Sequence, residues 1–148
     1  MKKLVIIISI IILLSGCGNK KEINTDAIKF QKEYNMLDIY KENPYVYSTK
    51  EEVLKIIKSS GVIFIGKPDN NESVELLKTL NEAVDNTGIN KVYYLNSDYE
   101  DVLKIINKKD IPAVIFVKDG KIIKSENTLK SYENAIHEVL DDLCDKEC

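Results

Sequence analysis

An α/β fold, a central mixed sheet flanked by helices, is what this chain of 148 residues predicts. Short apolar runs alternate with stretches of helical periodicity from Tyr45 onward. The helical stretches are punctuated at their ends, by Thr49 three residues before Glu52 at one start and by Gly61 and Gly88 at two stops. Asp119-Gly120, set between apolar runs, marks a tight hairpin. Alternating strands and helices imply parallel βαβ pairing, and the hairpin adds an antiparallel edge. The expected order is β-α-β-α-β-α-β-β-α, preceded by an extra N-terminal helix.

The chain begins outside that fold. Met1-Lys2-Lys3 is a small cationic start, and Leu4–Leu14 is apolar except for Ser9. This run is about half of the ~20 residues that a spanning helix needs, so it reads as a secretory signal. It ends in Leu14-Ser15-Gly16-Cys17, which resembles the lipobox of bacterial lipoproteins. The resemblance implies a diacylglyceryl group on the Cys17 thiol and cleavage of the bond before it. Anchoring by two or more acyl chains is stable where one chain is not. It further implies a signal peptide over 1–16, a lipid-anchored tether over 17–24 and a place on the extracytoplasmic face of the bacterial cell membrane.

An N-terminal helical segment follows over 25–43, where Ala27, Phe30, Tyr34 and Leu37 recur at helical steps until Asn43-Pro44 interrupts. The main domain occupies 44–148. Tyr45-Val46-Tyr47 is a short strand. Thr49 and Glu52 form a capping box for a helix over Val53, Leu54, Ile56 and Ile57. Val62-Ile63-Phe64-Ile65 is continuously apolar, as a strand buried on both faces must be. Gly66–Asn71 is a loop, and Val74, Leu77, Leu80 and Val84 line a helix that stops at Gly88. Val92–Leu95 is the next strand, its tyrosine hydroxyls and those of Tyr45 and Tyr47 expected at the rim of the sheet. Ser97 and Glu100 look like a second capping box, leading into Val102, Leu103, Ile105 and Ile106. Ala113–Val117 and Lys121–Ser125 form the hairpin. Tyr132, Ala135, Ile136, Val139, Leu140 and Leu143 face inward from a last helix over 129–143.

Charge narrows the function. The formal net charge is −3 at pH 7, and cleavage at Cys17 would remove two lysines more. A mildly acidic chain without a basic stripe argues against nucleic acid as a partner. All 21 basic residues are lysine, so no guanidinium fork exists for bidentate capture of phosphate or carboxylate. No P-loop, glycine-rich dinucleotide turn or serine-hydrolase elbow occurs, and no cofactor is expected.

The element order, with Ile111-Pro112-Ala113 leading into Val114–Val117 and then Lys118-Asp119-Gly120-Lys121, resembles thioredoxin over roughly Tyr45 to Leu143. In that family the proline of the Ile-Pro motif is cis and faces the redox site, which implies a cis Ile111–Pro112 bond here. The redox site lies after the second strand, as Cys-x-x-Cys at a helix N-terminus that acidifies its first thiol. Thioredoxin-like proteins of the bacteriocin-accessory type read apolar-Gly-Arg/Lys-Pro-x-Cys-x-x-Cys there. This chain reads Ile65-Gly66-Lys67-Pro68-Asp69-Asn70-Asn71-Glu72-Ser73. Asn70 and Ser73 stand in the cysteine positions, and neither an amide nor an unassisted hydroxyl can cycle between dithiol and disulfide. Both residue types also cap helices, by accepting free backbone N–H groups.

With Cys17 lipidated, Cys144 and Cys148 remain. An i,i+4 pair lies within reach of a disulfide if the helix end frays. The residues leave three readings open: a structural clip, two free thiols, or a catalytic pair, the last disfavoured because Asp145 and Glu147 would raise a thiol pKa. Two thiols are too few ligands for a metal, and none is expected. His137, the sole histidine, has no second histidine or upstream free cysteine to act with and is expected half-buried in the last helix.

A thioredoxin-like fold without its dithiol suggests binding. The expected function is a peptide- or protein-binding accessory role, in export, assembly or immunity. An unidentified extracytoplasmic protein or peptide would lie in the groove beside Ile111-Pro112. A thiol-disulfide oxidoreductase working through Cys144 and Cys148, and a structural subunit of an envelope complex, are the alternatives.

Overall fold

The computed structural model describes residues 25–35, 43–123 and 128–147, with the side chains of 27 and 142–147 left aside. Cys17, Cys148, the tether, Leu37 and the continuation of the last strand through Ser125 lie outside the described residues.

In chain order the elements are α1 (Thr25–Glu33), β1 (Tyr45–Tyr47), α2 (Lys50–Ile56), β2 (Gly61–Ile65), α3 (Asn71–Thr87), β3 (Val92–Leu95), α4 (Glu100–Ile105), β4 (Ala113–Lys118), β5 (Lys121–Ile123) and α5 (Leu129–Glu147). The Thr49 capping box forms in full: the Thr49 side chain accepts from the Glu52 N–H while the Glu52 carboxylate accepts from the Thr49 N–H. The α3 helix stops where Gly88 takes up φ 71°, the left-handed C-terminal geometry that glycine adopts without a Cβ clash. In the hairpin, Asp119 and Gly120 have φ 48° and 71°, the double left-handed conformation of a type I′ turn.

At Ser97 the chain departs from expectation. The α4 helix begins only at Glu100, after Tyr99 as N-cap and with no side-chain cap. Asp98, at φ 51°, turns the chain just after Ser97 and removes it from the helix start.

The strands form one sheet in the order β1-β3-β2-β4-β5. The β1, β3 and β2 strands are parallel, whereas β4 runs antiparallel to β2 and β5 antiparallel to β4. Antiparallel pairing thus reaches one strand deeper than the hairpin alone implies. The reason lies in the register. Both Leu95, ending β3, and Ala113, opening β4, pair with Ile65, so the chain re-enters the sheet at the end where it left. The six-residue α4 does not return it to the opposite end, as a parallel crossover would require.

Side chains alternate strictly between two cores. Val62, Phe64, Val92, Tyr94 and Phe116 face α1, α3 and α5, while Ile63, Ile65, Leu95, Ala113, Ile115 and Val117 face α2 and α4. Every residue of β2 is buried, which is why its sequence shows no alternation. The extra helix α1 docks through Phe30, fully buried and stacked on Tyr45 at 4.3 Å between ring centroids.

Candidate functional site

The ends of β2 and β3 and the start of β4 meet at one end of the sheet, and the loops leaving them build the site. The Gly66 N–H donates to the Leu95 carbonyl at 3.3 Å, carrying the β2–β3 pairing one step into the loop. Gly66 is required by space as well: a Cβ there would stand 2.7 Å from the Phe64 ring and 3.0 Å from Ser73 Oγ.

Asn70 and Ser73 are brought together at the start of α3. Asn70 Oδ1 accepts from the Ser73 N–H at 2.7 Å and from the Ser73 hydroxyl at 2.9 Å. Ser73 Oγ in turn accepts the Lys67 N–H at 3.2 Å, and Ser73 is fully buried. The Asn70 side-chain oxygen and the Ser73 hydroxyl are thus both engaged. Asn70 caps the helix, Ser73 ties the loop to it, and among the described residues the hydroxyl's partners are an amide oxygen and a backbone N–H, neither a base that could activate it.

The Ile111–Pro112 bond is cis, and Lys108 Nζ donates to the Pro112 carbonyl. Pro112 borders an open groove of about 830 Å³. Asn71, Glu72, Glu75, Leu76 and Thr79 line it from α3, Val114, Ile122 and Ile123 line it from the β4–β5 hairpin, and Ile106 and Lys108 contribute as well. Near the loop, Lys67 Nζ lies over the Tyr99 ring, 5.4 Å from its centroid.

Beneath the loop runs a buried tyrosine pair, Tyr34 and Tyr94, although the Tyr94 hydroxyl was expected at the rim of the sheet. The Tyr94 hydroxyl donates to the Gly66 carbonyl at 3.2 Å and lies 3.1 Å from the Tyr34 hydroxyl. The single Tyr94 proton is then committed to Gly66, so Tyr34 is the donor between them. Burial is the main cause that pushes the Tyr94 phenol up to about 12, with the hydrogen bond from Tyr34 working in the opposite direction. Tyr34 is driven well above the usual phenol range, again by burial first and then by its bond to Tyr94. The Tyr45 hydroxyl is also buried and donates to Asn81 Oδ1. Asn81 escaped sequence reading altogether, although four residues after Leu77 and three before Val84 it falls on the apolar stripe of α3.

Two other residues stand apart. Cys144 belongs to the last turns of α5, and no residue of α5 is among the described residues that line the groove. His137 is exposed rather than half-buried, because Ile136 and Val139 take the inward face of α5. Among the described residues no group of three or more His, Cys, Asp or Glu side chains is placed to hold a metal. No described helix is long and apolar enough to cross a membrane.

No protein-family model matches the chain, and no curated protein matches it. The fold does match solved structures. The J-Trx1 fragment of ERdj5 is similar with a TM-score of 0.52 at 12% identity, covering 69% of this chain. This chain spans about half of that one, 53% of its length. Thioredoxin from Trypanosoma brucei brucei is also similar, with a TM-score of 0.48 and 13% identity over 66% of this chain and 90% of that one. The fold is thioredoxin-like. It carries Asn70 and Ser73, not a dithiol, where α3 begins.

Proposed function

We propose that this is a lipid-anchored, extracytoplasmic protein whose thioredoxin-like domain binds an extended peptide or protein segment in an accessory role. The observation that carries the reading is the contrast at the start of α3. There the Asn70 side-chain oxygen and the Ser73 hydroxyl are engaged with each other and with the loop, while an open groove lies beside them along Pro112. The first part of the site supports a scaffold and the second supports a ligand. Exposed strand backbone beside apolar surface is the usual basis for holding a peptide in extended form. The frame Ile65-Gly66-Lys67-Pro68 supports descent from a bacteriocin-accessory-type protein, and Leu14-Ser15-Gly16-Cys17 supports lipidation.

A photo-reactive side chain placed at Ile122, on the groove, tests the binding reading in intact bacteria. The same group at Lys55, exposed on α2, serves as the control. Ile122 should give a discrete cross-linked product that Lys55 does not. Identical patterns from the two positions would refute binding through the groove.

A further inference from the structure

The two walls of the groove are chemically unequal. On α3, Glu72 and Glu75 lie one turn apart and both line it. Glu72 forms no ion pair among the described residues, and Glu75 pairs at 2.7 Å with Lys78, whose side chain is 61% exposed. An ion pair so open to water leaves most of the Glu75 charge available to a ligand. Among the described residues Lys108 is the one cation on the groove lining, and its ammonium is engaged by the Pro112 carbonyl. Val114, Ile122 and Ile123 of the β4–β5 hairpin supply the apolar surface across from this anionic helix, and Leu76 adds to it from α3 itself.

An extended segment sends successive side chains to opposite sides. Apolar residues would fall on the Val114–Ile122 side and their neighbours toward Glu72 and Glu75. We propose that the occupant is an extended segment of another protein in which apolar residues alternate with lysine or arginine. Acidic neighbours would be rejected by the same two carboxylates, so the wall selects by repulsion as well as by attraction. This inference rests on the peptide-binding reading and adds the charge of the ligand to it.

Three blocked six-residue peptides test it, each alternating valine with lysine, serine or glutamate, titrated against the full chain in detergent. The lysine peptide should bind about fivefold more tightly than the serine peptide, the gain expected from two exposed ion pairs. The glutamate peptide should bind more weakly than either. The preference should shrink at about 1 M salt, where charges are screened within a few ångströms. It should disappear in Glu72→Gln/Glu75→Gln and persist in Glu51→Gln/Glu82→Gln, which removes the same charge elsewhere on the surface. Equal affinities for the three peptides would overturn the charge inference and leave peptide binding standing. A preference that survives loss of Glu72 and Glu75 would overturn it too, by placing the site elsewhere. Binding of none of the three would overturn both readings.

Discussion

Asn70 shows most directly how one residue serves the scaffold. Its side-chain oxygen takes two hydrogen bonds from Ser73, one of them from a backbone N–H that the helix itself cannot satisfy. Asn70→Ala should therefore cost about 1 kcal/mol in urea unfolding, and Asn70→Asp should cost little, since aspartate caps equally well. Equal losses from both would mean that the cap contributes nothing. The buried phenols set a pH dependence. A folded value of about 12 for Tyr94, against an ordinary phenol near 10, means that folding favours the protonated form. That stabilisation is present in full below pH ~10 and is lost as pH rises through the folded value. Comparison of the native chain with Tyr94→Phe isolates it from lysine titration. The native chain should lose stability more steeply than Tyr94→Phe between pH ~10 and ~12, and parallel slopes would contradict the assignment. Of these residues, the Asn70 cap was legible in the sequence, because Asn-x-x-Ser before an apolar helical stripe is a local signal. The tyrosine pair was not, because Tyr34 and Tyr94 lie 60 residues apart and only tertiary packing joins their hydroxyls.

At the scale of elements, α1 is the addition that distinguishes this domain from the β-α-β-α-β-α-β-β-α frame. It is a poor helix by itself, nine residues long, and it holds its place through the ring of Phe30 on Tyr45 and through Tyr34 on Tyr94. Phe30→Ala should cost about 3–5 kcal/mol, the usual range for emptying a buried ring site. Tyr34→Phe should cost about 1 kcal/mol, since Tyr94 keeps its bond to Gly66. Hydrogen exchange would separate the two changes. Phe30→Ala should speed exchange at the Gly66 N–H, because α1 packs on the rings beneath that loop, whereas Tyr34→Phe should leave it nearly unchanged. Unaltered Gly66 exchange in Phe30→Ala would show that the loop is independent of α1. Local rules read the Thr49 box, the Gly88 stop and the Asp119-Gly120 turn correctly, but not the Gly61 stop: α2 ends with Ile57 as C-cap, and Gly61 opens β2 instead. The other failures fall where distant structure decides. Ser97 has the right spacing to Glu100 but is turned away by Asp98, and the direction of β4 depends on where α4 leaves the chain, which no local pattern records.

For the whole molecule, the sheet explains why the site sits where it does. The loop after β2, the loop after β3 and the Pro112 turn before β4 all emerge at one end because the register pairs Ile65 with both Leu95 and Ala113. The same geometry in a dithiol protein would present an acidified thiol at the start of α3. Anchoring is a separate claim with its own outcome. The native chain expressed in a bacterium should take up labelled fatty acid and sediment with membrane, and Cys17→Ser should do neither. Equal sedimentation of the two would leave Cys17 without that role.

The central claim is that a thioredoxin-like fold here works without thiol exchange, and insulin reduction tests it most directly. The full chain should reduce insulin disulfides no faster than the small dithiol supplied with it, and Asn70→Cys/Ser73→Cys should raise the rate, since the helix start that acidifies a thiolate is still in place. Reduction by the native chain well above that background, abolished by Cys144→Ser/Cys148→Ser, would contradict the account and make the C-terminal cysteines the active site.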